Sequence, residues 1–322
     1  MYQRSSTQSF GIGGSGRIES RTCVARGSIR ATNRLVRSFS FLMLSSYLLS
    51  NQIAEAQSGS YVERVATLVV AVSKTAPRLE SPVVTFTPTQ LGGDSTIQLI
   101  STPSLAFLGP ELLDIVRKNH REFSSLLGGI TGVKSTLRLI DAEEFYAVTQ
   151  LPSWTNAMFF RSQLVIPIDT TRNLDRKELE RSLRHEYFHA VINALSDGKC
   201  PGWLDEGLAQ LIEGNAHPQL WLALSDYIKK NQEMVPFDRL SRGFTKLPTE
   251  MVAPAYGQSL VAASMVESQF GLGAVRTFLE KLRSGIVAND AFRSAFGIPF
   301  AAFQTRVRDN LRSGRFRRGE FR

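Results

Sequence analysis

RHEYFHAVINAL, Arg184 to Leu195, sets two histidines four residues apart with a glutamate directly after the first. On an α-helix, positions four apart differ by only about 40° in direction, so His185 and His189 project from one face, a turn apart. Two imidazole nitrogens at that spacing can both approach one Zn²⁺ at about 2.0–2.1 Å. Glu186 points about 100° round from His185, beside such a metal, where its carboxylate can take a proton from water. The same three residues could also be ordinary polar positions on a helix. A catalytic zinc needs three protein ligands and one open position, so the reading turns on a third ligand.

PGWLDEGLAQ follows within twenty residues, and Glu206 lies seventeen residues after His189. A helix, a turn containing Gly198 and Pro201, and a second helix would bring that carboxylate back to the histidine face. Asp205 is a rival one residue away, about 100° off on the same helix. Trp203, Leu204, Leu208 and Leu211 form an apolar face there, and composition alone leaves both acids open.

H-E-x-x-H followed by W-L-x-E-G-x-A resembles the gluzincin metallopeptidases, most closely their peptidase MA-like families. The resemblance covers about two-thirds of the chain: upstream a helix, a strand, the D-x-x-E-F helix at Asp141 and an edge strand, downstream AYGQSLVAASMVESQFG and AFGIPFAAFQ. It implies Zn²⁺ held by His185, His189 and Glu206, with Glu186 as general base. It also implies that Tyr256, or a residue like it, donates to the oxyanion. The implied activity is hydrolysis of peptide or protein substrates. Two departures stand out. Gln210 occupies the place where thermolysin-like gluzincins carry an acid bonded to a ligand histidine, so such support must come from elsewhere. No G-x-M-E-N stretch is present, which argues against a dedicated aminopeptidase. Two other readings are a non-catalytic zincin-like binding or scaffold module in the cell envelope, and a structural zinc site with Cys200 as fourth ligand.

Working outward, STIQLIS (95–101), STLRLI (135–140) and RSQLVIPI (161–168) read as strands. For the last, the resemblance implies an edge along which a peptide could lie, and its alternating apolar residues equally suit plain core. Residues 110–127 and 174–195 read as helices, and Asp141 caps a short helix, AEEFYAVT. Beyond Gly214 only helical segments are convincing: 218–230, 256–270, 274–283, a piece near Ala291, and 299–311 with Pro299 in the first helical position. The fold expected is α+β and zincin-like, with a small N-terminal sheet and the H-E-x-x-H helix followed by an all-helical half. Residues 95–311 form that domain, 57–94 an extension and linker marked by Pro77, Pro82 and Pro88, and 312–322 a solvated basic tail. YVERVATLVVAVSKT, 61–75, fits either a helix or a strand. His120, among charged neighbours, reads as a solvated helix residue. His217 reads as a surface or capping residue, Cys200 as a small loop residue, and Tyr187 as core.

Residues 1–56 read as a targeting segment: Arg34 and Arg37, the apolar run SFSFLMLSSYLL, then an A-x-A signature at Ala54 and Ala56. That run is shorter than the roughly 20 residues a membrane span needs. Export to the periplasm or medium is expected, with an uncleaved anchor or an organelle transit peptide as alternatives. The net charge of +9 falls to +4 without this segment, leaving 31 basic against 27 acidic residues, so basicity does not point to a nucleic-acid partner. Removing the segment would also leave Cys200 as the only cysteine, with no intrachain disulfide.

Overall fold

The computed structural model describes residues 82–149, 157–214, 217–244, 247–314 and 316. The targeting segment and the stretch 61–75 lie outside the described residues.

The first half is a mixed sheet with helices. Strands β1 (Val84–Thr85) and β2 (Thr89–Gly92) both pair antiparallel with β3 (Ser95–Ser101). β3, β4 (Lys134–Asp141) and β6 (Gln163–Ile168) run parallel, and β5 (Met158–Phe160) closes the far edge antiparallel to β6. Alternation sends Ile97, Leu99, Leu137, Leu139, Leu164 and Ile166 to one face, all essentially inaccessible to water. Helices α1 (Gly109–Leu126) and α3 (Arg176–Ser196) cover that face, with Val116, Phe123, Leu183 and Phe188 in the same core. The opposite face carries a smaller cluster of Ile140, Val165 and Phe145, the last from α2 (Ala142–Thr149).

The second half is helical: α4 (Gly202–Glu213), α5 (Pro218–Asn231), α6 (Phe237–Leu240), α7 (Thr249–Arg283), α8 (Ala288–Phe296) and α9 (Phe300–Ser313). Gly271, at φ 77° and ψ 163°, breaks α7 into two segments. This is why the sequence reads as separate helices there.

Five expectations about the elements need correction. The connector before residue 95 supplies β1 and β2, so the sheet begins at Val84. The strand 161–168 is not the edge. Arg161 and Ser162, at φ 48° and 62°, make a two-residue turn, and β6 lies between β4 and the three-residue edge strand β5. The helix bearing Tyr256 starts at Thr249 and runs through Pro254. Pro299 is the N-cap of α9, its first helical residue being Phe300. Within the stretch read as a solvated tail, Phe316 is buried, 2% exposed, with its ring 6.1 Å from that of Trp221.

Candidate metal centre

Helix α3 presents the first half of the site. Asp175 caps it, its carboxylate accepting from the backbone N–H groups of Lys177 and Glu178 at 3.0 and 3.1 Å. Asp197, in the left-handed region at φ 56°, ends it. Along its length Leu183, Tyr187, Phe188 and Val191 are buried, and this fixes the rotation that turns His185 and His189 toward α4.

Helix α4 is set by its own motif. Trp203 is 1% exposed, and its ring lies 5.2 Å from Phe237, 5.7 Å from Phe300 and 5.9 Å from Phe303. Gly207 lets α4 and α7 touch, because a Cβ there would sit 2.2 Å from the backbone oxygen of Ser259. The tryptophan and glycine of the motif thus dock the helix, and the acid between them is left to face α3.

The donor atoms converge. His185 Nε2 and His189 Nε2 are 3.1 Å apart, and Glu206 Oε2 is 3.8 Å from each. Ligands at about 2.0–2.2 Å in tetrahedral array stand roughly 3.4 Å from one another, so this triangle suits a zinc ion. Cys200 is not in this group among the described residues; its thiol approaches the carbonyl of Pro201 at 3.7 Å.

Each imidazole is held from behind. His189 Nδ1 is 2.8 Å from Asp205 Oδ1, and His185 Nδ1 is 2.6 Å from Glu213 Oε2. An ionised carboxylate only accepts, so in the neutral rings the proton sits on Nδ1, and Nε2 turns its lone pair toward the triangle. Asp205, a rival to Glu206 on sequence, is therefore an outer partner. With Glu213 it supplies the support that Gln210 does not; Gln210 instead donates to the carbonyls of Glu206 and Tyr256. Glu213 could have been found from helical phase, since it lies seven residues after Glu206, within about 20° of the same direction.

The electrostatics favour a cation. Burial alone would lower both imidazoles, but neighbouring carboxylates outweigh it. His185 is held well above its ordinary range by Glu206 and Glu213, and His189 is raised to about 9 by Asp205 and Glu206. Burial opposes ionisation of Glu213, yet His185 and His217 bring it down to about 2. For Glu206 burial is likewise outweighed, by His189 and His185, and the group is lowered. Glu186 moves up, through burial against the pull of both imidazoles. Four carboxylates around two imidazoles are a donor set that a divalent cation would balance.

A sequence model of the Peptidase MA superfamily matches residues 143–313, more than half of the chain. The chain belongs to the Peptidase MA superfamily. Among solved structures, this superfamily member is similar to the M1 zinc metallopeptidase from Deinococcus radiodurans, at 16% identity and a TM-score of 0.40. That match covers 71% of this chain and 51% of the other. A mutant of the same protein bound to a Tyr-Ser-Ala substrate matches at 15% identity and a TM-score of 0.41, covering 70% of this chain and 50% of the other. The chain thus spans about half the length of those structures. No curated protein matches by sequence. The architecture is the α+β, sheet-then-helices arrangement expected from the sequence.

Three other residues can now be placed in this Peptidase MA chain. Tyr256 is half-buried, its ring edge-on to Phe244 at 4.8 Å; burial, with Glu206 and Glu186 adding, raises its phenol. His120 is not solvated. It is 3% exposed, with Nδ1 2.7 Å from the hydroxyl of Tyr187 on α3. His217 is not a surface group either. It is buried at the N-cap of α5 and makes no capping bond with its side chain.

Proposed function

We propose that the protein is a zinc-dependent peptidase, with His185, His189 and Glu206 as the metal ligands and Glu186 as general base. The convergence of three donor atoms, two of them backed by buried or half-buried carboxylates, carries this reading. A zinc ion held there would polarise the scissile carbonyl and make water acidic enough to be deprotonated near neutral pH.

The chain's own groups do the rest. Glu186 takes the proton of the attacking water and returns it to the leaving amine. A carboxyl raised by burial is better suited to that exchange than an ordinary one. Tyr256, whose phenol interacts with Glu206 and Glu186, donates to the developing oxyanion. β5 forms one edge of the sheet, and its Phe159 stacks on His189 with ring centroids 6.5 Å apart. A peptide added along that edge would bring its backbone past the metal centre. Among the described residues no helix is long and apolar enough to cross a membrane. Export remains part of this proposal, on the pattern of residues 1–56.

Glu186→Gln tests it. The substitution keeps the shape and the ligands, so the purified variant should bind zinc in the same ratio as the wild type. Hydrolysis of a diverse peptide library should fall by about 10²–10⁴-fold, the usual contribution of a positioned base. Undiminished hydrolysis would remove Glu186 from the mechanism. A wild-type chain that binds zinc but cleaves nothing would instead point to a binding module.

A further inference from the structure

Glu213 uses both of its oxygens. Oε2 faces His185, and Oε1 lies 3.0 Å from His217 Nε2, within ion-pair range but without the alignment of a full hydrogen bond. The two side chains are among the least accessible of the polar set, at 8% for Glu213 and 7% for His217. No other partner is available to His217 Nε2 among the described residues.

His217 is also held at a cost. It adopts φ 45° and ψ 49°, a left-handed conformation that few non-glycine residues accept. Polar residues at an N-cap usually sit in the β region and cap the helix, but this side chain makes no cap bond and turns to the carboxylate. The last torsion of a glutamate is broad, so a carboxylate held at one oxygen can rotate. Held at both oxygens, it fixes the direction from which His185 Nδ1 is met, and with it the aim of Nε2.

We propose that His217 is a positioning residue of the metal centre, locking Glu213 so that His185 presents Nε2 to zinc. The proposal rests on the zinc reading above and adds a third layer to it: metal ligand, carboxylate, buried histidine. A merely structural His217 would stabilise the junction of α4 and α5 without regard to Glu213.

The test is a double-mutant cycle on zinc affinity of the full chain, read by competition with a chromophoric chelator at one pH. His217→Asn suits the left-handed backbone but is too short to reach Oε1. Outer partners of a ligand histidine are worth about 10–100-fold in metal affinity, and a residue one step further out should be worth about 3–10-fold. His217→Asn should therefore weaken zinc by that factor when Glu213 is present and have little effect in a Glu213→Gln background. His217→Gln, which restores a donor near the position of Nε2, should recover most of the loss. Equal losses in both backgrounds, or none in either, would overturn the proposal while leaving the metal centre standing. A wild type that binds no zinc would overturn the metal-centre reading itself. Melting temperatures of the zinc-free variants show whether each folds; if His217→Asn does not, His217→Gly, which accepts the left-handed backbone and also lacks the donor, takes its place in the cycle.

Discussion

At the scale of single residues, adjacent acids on one helix have different work. Asp205 and Glu206 differ by about 100° in direction, enough for one to meet the back of His189 while the other joins the donor triangle. Their order along the chain did not decide this; the docking of α4 did. Removing each should therefore fail differently. Glu206→Gln removes one donor of the triangle and, on the zinc proposal, should reduce zinc binding to the level of a two-histidine site. Asp205→Ala should leave a site that still fills, with affinity lower by about 10–100-fold. Titration of both variants with zinc checks the order, and an Asp205→Ala loss as severe as that of Glu206→Gln would reverse the two assignments. The histidines were legible because helical spacing is a local property. Glu213 lies on the phase of Glu206, but its partner His185 comes from another helix, 28 residues away. His217 pairs with Glu213 only four residues off, across the break between α4 and α5 where no helical period runs. His120 was misjudged for a related reason. Its charged neighbours suggested solvent, while its spacing from Val116 and Phe123, four and three residues off, placed it on the buried stripe.

At the scale of elements, the site depends on how closely α4 and α7 approach. A methyl at position 207 would fall 2.2 Å from Ser259 O and 2.8 Å from Ala263 Cβ, and neither backbone nor a short side chain can yield that much. Gly207→Ala must then push α4 away and carry Glu206 with it. Overpacking of this kind costs about 1–3 kcal/mol or more, so the urea midpoint should drop by that equivalent. Zinc affinity should fall as well, although no donor atom has been changed. A variant as stable as the wild type would mean the two helices separate freely. The long helices and central strands were readable from periodicity, since each pattern spans several turns or alternations. The short elements were not: β1 has two residues, β5 three and α6 four, too few for a period to show. Their existence follows from pairing with neighbours already in place, as β5 pairs with β6 across the Arg161–Ser162 turn.

At the scale of the whole molecule, the question is whether metal holds the fold or only completes it. Small zinc domains without a core unfold when stripped. Here one apolar cluster runs from Ile97 and Leu137 in the sheet, through Phe123 and Phe188, to Trp203, Phe278 and Phe303 in the helical half. None of these side chains belongs to the donor set, so the zinc-free chain should remain folded and unfold cooperatively. It should nevertheless be less stable. Glu186, Asp205, Glu206 and Glu213 gather negative charge around two imidazoles, and a divalent cation relieves that repulsion only in the folded state. A ligand that binds only the native state adds about 4.1 kcal/mol when its free concentration is a thousand times Kd. Stripping with a chelator should lower the melting temperature and leave a single transition, and adding zinc should raise it again by an amount that grows with the logarithm of free zinc. A stripped chain without a cooperative transition would show that the core is not sufficient. A melting temperature indifferent to zinc would show that no metal binds the folded state at the concentrations used.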